Sequence, residues 1–175
     1  MFDPTIFDNL KVALENRIYD LDNLDGVIRV SDRVDRLELA AMARAFSIRF
    51  HLAAYPAIEA RIGLEASLQD LAAEILETPG ASPGCALRVG FRLETDDPER
   101  TCPQLERLMR EVWGEGLSPK LTVRYEFGEA RPRYRVSAEL PFGRKINEEQ
   151  MEDLDDLVDH ALRSLELLCS ELKEG

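Results

Sequence analysis

Arginine recurs between apolar residues through three stretches of this sequence. "SIRFHL" carries Arg49, "LRVGFRL" carries Arg88 and Arg92, and "LTVRYEFGEARPRYRVSAEL" carries Arg124, Arg133 and Arg135. A guanidinium is permanently charged and presents paired N–H donors that fit a carboxylate or phosphate two at a time. Arg49, Arg88, Arg92, Arg124 and Arg135 are therefore the candidate residues for binding an anion. The simpler expectation is a charged sheet face in water, held by cross-strand ion pairs worth about 1 kcal/mol or less each.

Other candidate chemistry is sparse. Backbone N–H groups at a helix start lower a thiol pKa, so Cys102, followed by Pro103, is a candidate reactive thiol, against an ordinary capping position. "DLDNLDG" resembles the start of a calcium loop, but with Gly26 as the turn glycine the first ligand position falls on Leu21, which has no oxygen to offer. No GxGxxG, P-loop, GxSxG or HExxH occurs. Cys85, Cys102 and Cys169 form no CxxC, and His51 and His160 have no second ligand type at useful spacing. No catalytic residue, metal or other cofactor is expected.

Charge is unevenly distributed. The formal net charge is −12, and residues 148–175 hold ten acids against two bases, whereas residues 84–147 hold ten acids against twelve bases. An acidic surface disfavours nucleic acid, whose phosphates need cationic neighbours, and favours solubility or a basic partner. No apolar run approaches the roughly 20 residues of a bilayer span. "MFDPTIFDNL" carries acids where a signal peptide has bases, so a cytosolic location is expected and no membrane partner.

The elements that must position the arginines follow from periodicity. A first helix is predicted over 4–15, with Asp3 as cap and Pro4 in its first turn. Asp25-Gly26 predicts a hairpin of 17–22 and 26–31, then a short helix from Asp32 to Phe46, a strand over 46–53 and a helix over 57–77. "TPGASPG" (78–84) is the clearest break in what reads as a single domain of 1–175, a candidate boundary between an N-terminal layer and a C-terminal sheet-plus-helix half. A strand over 85–94, a helix carrying Leu105, Leu108, Met109 and Val112, and the hairpin of 121–140 follow. Asn147 caps a last helix whose Met151, Leu154, Val158, Ala161, Leu165, Leu168 and Leu172 step by three and four.

This order lacks the regular βαβα alternation of a parallel sheet. It predicts an α+β fold: an antiparallel or mixed sheet with helices packed on one face and a long C-terminal amphipathic helix. Because side chains alternate across a strand, Arg49, Arg88, Arg92, Arg124 and Arg135 would share the uncovered face. Within the 121–140 hairpin, pairing Phe127 with Tyr134 sets Arg124 opposite Ser137 and avoids setting it opposite Arg135. These features together predict a cytosolic, non-enzymatic interaction or regulatory protein, a homodimer with a possible further protein partner. The alternative is a binder of a small anionic ligand, or an enzyme acting on one, that uses the arginine face.

Overall fold

The computed structural model describes residues 5–173. Ten elements run α1 (Ile6–Asn23), β1 (Ile28–Glu38), β2 (Ala43–Leu52), β3 (Tyr55–Ala66), α2 (Leu68–Ile75), β4 (Ala86–Thr95), α3 (Pro98–Trp113), β5 (Lys120–Arg124), β6 (Tyr134–Leu140) and α4 (Asp153–Lys173), with a 3-10 turn at Glu148–Gln150 before α4. One sheet contains all six strands in the order β1-β2-β3-β4-β6-β5, and every neighbouring pair is antiparallel. This is the expected α+β architecture.

One face of the sheet is apolar and three helices cover it. Ile48 and Phe50 of β2, Ala60, Ile62 and Leu64 of β3, Val89 and Phe91 of β4, and Val136 and Ala138 of β6 are all buried. Helix α1 packs over β1 and β3, α4 over β2 and β3, and α3 over β5 and β6; α4 touches both other helices and lies between them. Most of the expected seam is used here: Leu154, Val158, Ala161, Leu165 and Leu168 are buried, with Met151 and Leu172 partly so. Polar links fix the helices side by side. Arg17 Nη2 donates to Asp159 Oδ1 at 2.6 Å, Asn9 Nδ2 to Glu148 Oε1 at 2.7 Å, and Trp113 Nε1 to Ser164 Oγ at 2.9 Å.

The N-terminal third departs from its sequence pattern in three places. Residues 17–22 are not a strand: α1 continues to Asn23 because Ile18 and Leu21 extend the buried stripe of Phe7, Leu10 and Leu14. Asp25-Gly26 is the exit from that helix, with Gly26 at φ +65° and the Val27 N–H closing on the Leu21 carbonyl. Asp22 Oδ2 accepts from the Val30 N–H at 2.9 Å, so this aspartate ties the helix end to β1. The expected helix from Asp32 to Phe46 is instead the hairpin of β1 and β2, in which strand pairing overrides the helix propensity of "LELAAMARA". The expected helix over 57–77 is β3 followed by the short α2; Ile58, Ala60, Ile62, Leu64 and Ala66 alternate with period two and are all buried. Asp3 and Pro4 lie outside the described residues, and α1 begins after Thr5.

The expected hairpin register is also corrected. Arg124 stands opposite Arg135, Val123 opposite Val136 and Leu121 opposite Ala138. The two-residue shift keeps the same side chains on each face, and in this register Tyr125 and Tyr134 make a ring contact at 5.3 Å. Arg135 also has Glu94 beside it on β4, which offsets the repulsion from Arg124.

The break at 78–84 leads back into the same sheet. Cys85 and Ile146 exchange backbone hydrogen bonds at 2.8 and 2.9 Å, closing the segment before α4 onto the start of β4. Lys145 Nζ then donates to both oxygens of the buried Asp70 at 2.8 Å, while Ser67 Oγ donates to Asp70 at 2.7 Å. Burial pushes the Asp70 carboxyl up, but the hydrogen bonds from Lys145 and Ser67 outweigh it and hold the group below the ordinary aspartate value of 3.8. A depressed carboxyl stabilises the fold above its unfolded pKa and loses that contribution as pH falls through the folded value. Asp70→Asn is therefore expected to lower stability at neutral pH by about 1–3 kcal/mol. The gap from the wild type should close below pH 3.8. Urea denaturation at neutral pH and in acid measures both, and a gap that persists unchanged in acid refutes the ion-pair account.

Candidate functional site

The second face of the sheet is open, and alternation dictates what stands on it. Opposite the buried Ile48 and Phe50, β2 presents Ser47, Arg49 and His51; β3 presents Glu59, Arg61, Gly63 and Glu65. Strand β4 adds Arg88, Gly90, Arg92 and Glu94, β6 adds Arg135, Ser137 and Glu139, and β5 adds Lys120, Thr122 and Arg124. Register stacks these into rows across the strands. One row runs Asp32, Arg49, Arg61, Gly90, Glu139 and Lys120 from β1 to β5. The next runs His51, Glu59, Arg92, Ser137 and Thr122.

At the centre of the face the surface sinks. Gly90 has no side chain, and Ser137 and Thr122 are short, so the surrounding long side chains enclose a depression of about 310 Å³. Six arginines line it, Arg49, Arg61, Arg88, Arg92, Arg124 and Arg135, against two glutamates, Glu59 and Glu139. The glycine is kept small by its neighbour strand as well, since a Cβ at Gly90 would stand 3.2 Å from the Ala138 carbonyl oxygen. A smaller hollow of about 110 Å³ on the β1 side shares Arg49, Arg61 and Arg88, which makes the cationic surface elongated rather than cup-shaped.

The acids of the face on β3, β4 and β6 are already engaged. Arg88 bonds Glu65 at 3.2 Å and Glu139 at 3.1 Å, and Arg92 bonds Glu59 at 3.0 Å. Glu94 is shared between Arg133 at 3.1 Å and Arg135 at 3.6 Å. Among the described residues, Arg49, Arg61 and Arg124 have no carboxylate within 4.0 Å. Arg49 and Arg61 are direct cross-strand neighbours, as are Arg124 and Arg135. Burial lowers the Arg49 pKa, and repulsion from Arg92 and Arg61 lowers it further. Glu59 and Asp32 oppose the shift without cancelling it, and the group stays protonated in water.

All five arginines selected from the sequence, Arg49, Arg88, Arg92, Arg124 and Arg135, meet at this one depression. Arg61 was missed, because the helix expected over 57–77 took it out of the sheet; the two-residue alternation of Ile58 to Ala66 is the signal that places it. Cys102 lies elsewhere, on α3 in its second turn. The helix starts at Pro98 with Asp97 as cap, and burial together with Glu99 raises the Cys102 thiol pKa. Burial pushes Cys85 up to about 12. Trp113 packs against Phe142 and His160 at the helix layer, and Gly114 ends α3 at φ +95°.

The face can bind and orient an anion through paired N–H donors. Its histidine, His51, has Nδ1 2.9 Å from the Leu52 carbonyl oxygen, and no hydrogen bond links it to the hydroxyls of Thr122 or Ser137. Among the described residues no group of three His, Cys, Asp or Glu side chains could hold a metal ion. No helix of the described residues is long and apolar enough to cross a membrane. Compared with known protein families, curated proteins and solved structures, the chain has no match in any of the three.

The arginines of the depression are expected to be dispensable for folding. The double variant Arg49→Gln, Arg61→Gln removes a repulsive pair and should change stability by less than about 0.5 kcal/mol, or raise it. A loss above about 1 kcal/mol in urea denaturation would show that these side chains hold the sheet together instead.

Proposed function

We propose that this is a cytosolic, non-enzymatic interaction protein that holds an anionic partner on its open sheet face. The observation that carries the reading is the central depression, where six arginines meet two glutamates and three of the arginines have no acid of their own. Cations gathered in this way repel one another until a ligand neutralises them, so binding replaces repulsion with charge-assisted hydrogen bonds. The elongated outline and open rim suit a chain-like partner, whereas a small metabolite is ordinarily enclosed on most sides. Cys85 and Cys102 form no disulfide, which agrees with a reducing compartment.

Titration with inorganic tripolyphosphate, a small polyanion of no sequence, tests the cationic site directly. Calorimetry in low salt should detect binding that weakens steadily as salt is added. The triple variant Arg49→Gln, Arg61→Gln, Arg124→Gln should bind at least roughly tenfold more weakly while remaining folded. Wild-type protein that gives no heat in low salt, or a variant that binds equally well, would remove the site. A small anionic ligand as the natural partner is the second reading, and the 310 Å³ volume is what favours it.

The proposal includes a homodimer, which needs a surface other than the α4 seam because that seam is occupied within the chain. Its support is α2 and its C-cap, which leave Leu68, Ile75 and Leu76 exposed. Light scattering in solution should return twice the chain mass, and a monomer mass at high protein concentration excludes the dimer.

A further inference from the structure

We propose that β5 is the docking edge for an extended segment of a partner protein in which acidic and apolar residues alternate, bound as a seventh strand of the sheet. The inference deepens the preceding reading and rests on it for the acidic character of the partner; the strand geometry stands on separate observations.

An edge strand has backbone N–H and C=O groups with no neighbour on one side, and proteins usually shield them. Strand β1 is shielded. Its pairing with β2 is broken by a bulge between Val30 and Asp32, and charged side chains project from both of its faces. On the helix side these are tied down, Arg33 to Glu15 and Asp35 to Lys11. Strand β5 has a regular register with β6 throughout, and four of its five residues, Lys120, Thr122, Val123 and Arg124, are exposed. Its length sets the length of what it can pair with, about five residues.

The two sides of β5 offer different chemistry. On the helix side, α3 covers the sheet incompletely, and an open groove of about 530 Å³ runs between α3 and β5. Cys102 and Pro103 of α3 form one wall, and Leu121, Val123 and Tyr134 form the floor. Val123 is 39% exposed, and beyond the strand Tyr125 is 60% and Phe127 fully exposed. Apolar side chains on an added strand would enter this groove and extend the apolar face by one strand. On the open side stand Lys120 and Arg124, with Arg124 itself lining the arginine depression. Acidic side chains on the same added strand would meet these cations.

The rim of the groove makes the orientation selective. Asp96, Glu99 and Glu106 stand at its helix-side edge and repel acids, so a segment with its acids turned to the groove is rejected. Alternation in the ligand must therefore match alternation in the sheet. A second copy of this chain fits poorly, because full antiparallel overlap of two β5 strands sets Lys120 against Arg124 at both ends.

The test uses the full chain and a fluorescent seven-residue peptide of alternating valine and glutamate, with anisotropy in low salt as the readout. A peptide of the same composition with its four valines and three glutamates in blocks should bind roughly tenfold more weakly or worse, as should the alternating peptide N-methylated at every second residue. Hydrogen exchange at the Leu121–Val123 amides should slow when the alternating peptide is bound. Val123→Asp should weaken peptide binding to a similar degree yet leave tripolyphosphate binding unchanged, which separates this edge from the central depression. Equal binding of the block or N-methylated peptide overturns the strand proposal, as does an oligonucleotide that competes with the peptide while the β5 amides stay unprotected. A concentration-dependent dimer that Val123→Asp dissolves assigns the edge to a second copy and overturns it too. If tripolyphosphate fails to bind but the alternating peptide still protects β5, the depression reading fails and the docking edge stands.

Discussion

Burial of one sheet face beneath α1, α4 and α3 is the constraint on which the other features depend. An antiparallel sheet whose strands alternate apolar and charged residues has only one way to remove its apolar side from water, and α4, lying over the middle strands between α1 and α3, completes that cover. Each fully buried Leu or Ile contributes on the order of 1.5–3 kcal/mol relative to exposure, far more than any exposed ion pair. Apolar burial therefore sets which residues of each strand face the helices, and charges on the opposite face take whatever neighbours the register gives them. Arg124 faces Arg135 in this way. Val123 stands on Val136 and Leu121 on Ala138 beneath them, and the repulsion across the open side is tolerated in water and relieved by Glu94.

The same hierarchy explains which parts of the architecture were legible in the sequence. Strands β2, β4 and β6 and helices α3 and α4 have periodicities strong enough to read, since each buries one clean face. The N-terminal third misleads because its residues satisfy two periods at once. Ile62, Leu64, Leu68, Leu71 and Ile75 fit a helical stripe, yet the first two belong to a strand and the others to a helix that begins at the Ser67 cap. The segment 32–46 is rich in Ala, Arg and Leu, all good helix formers, and only the partner strand makes it β. Neighbours far away in sequence carry that information. The arginine site was legible to the extent that its strands were. Five of its six arginines were found by alternation, and Arg61 was lost with the misread β3. The depression at Gly90 was not foreseeable, because it depends on which residues flank the glycine across three strands.

Opposite charge is segregated between the two layers. The open face carries the unpaired arginines, whereas the exposed side of α4 carries Asp153, Asp155, Asp156 and Asp159 near its start. Some of those acids serve the helix layer, as Asp159 does for Arg17, and acids in the first turn complement the helix dipole. The separation gives the molecule a charge asymmetry that a net charge of −12 conceals. On the proposed function, an anionic partner would be repelled from the helix side and attracted to the sheet side, and so would arrive already oriented.

How strongly the sheet face holds an anion depends on which of its arginines can change partner. Arg88 and Arg92 are engaged with Glu139, Glu65 and Glu59, so an incoming carboxylate there only replaces one acid with another. Such an exchange gains little free energy and leaves a displaced glutamate to be hydrated. Arg49, Arg61 and Arg124 have nothing to exchange, and for them the incoming acid is a net addition of charge-assisted hydrogen bonds. On the proposed function, binding energy would therefore concentrate at Arg49 and Arg61 on one side of Gly90 and at Arg124 on the other, while the paired arginines between them set shape and local potential. That division places the strongest attachment points at the two ends of the depression and favours a ligand with more than one anionic group, spaced to reach both. On the proposed function the glutamates of the face would then act as a filter: a single small anion would gain little by displacing them, and only a ligand that spans the depression would engage Arg49, Arg61 and Arg124 at once.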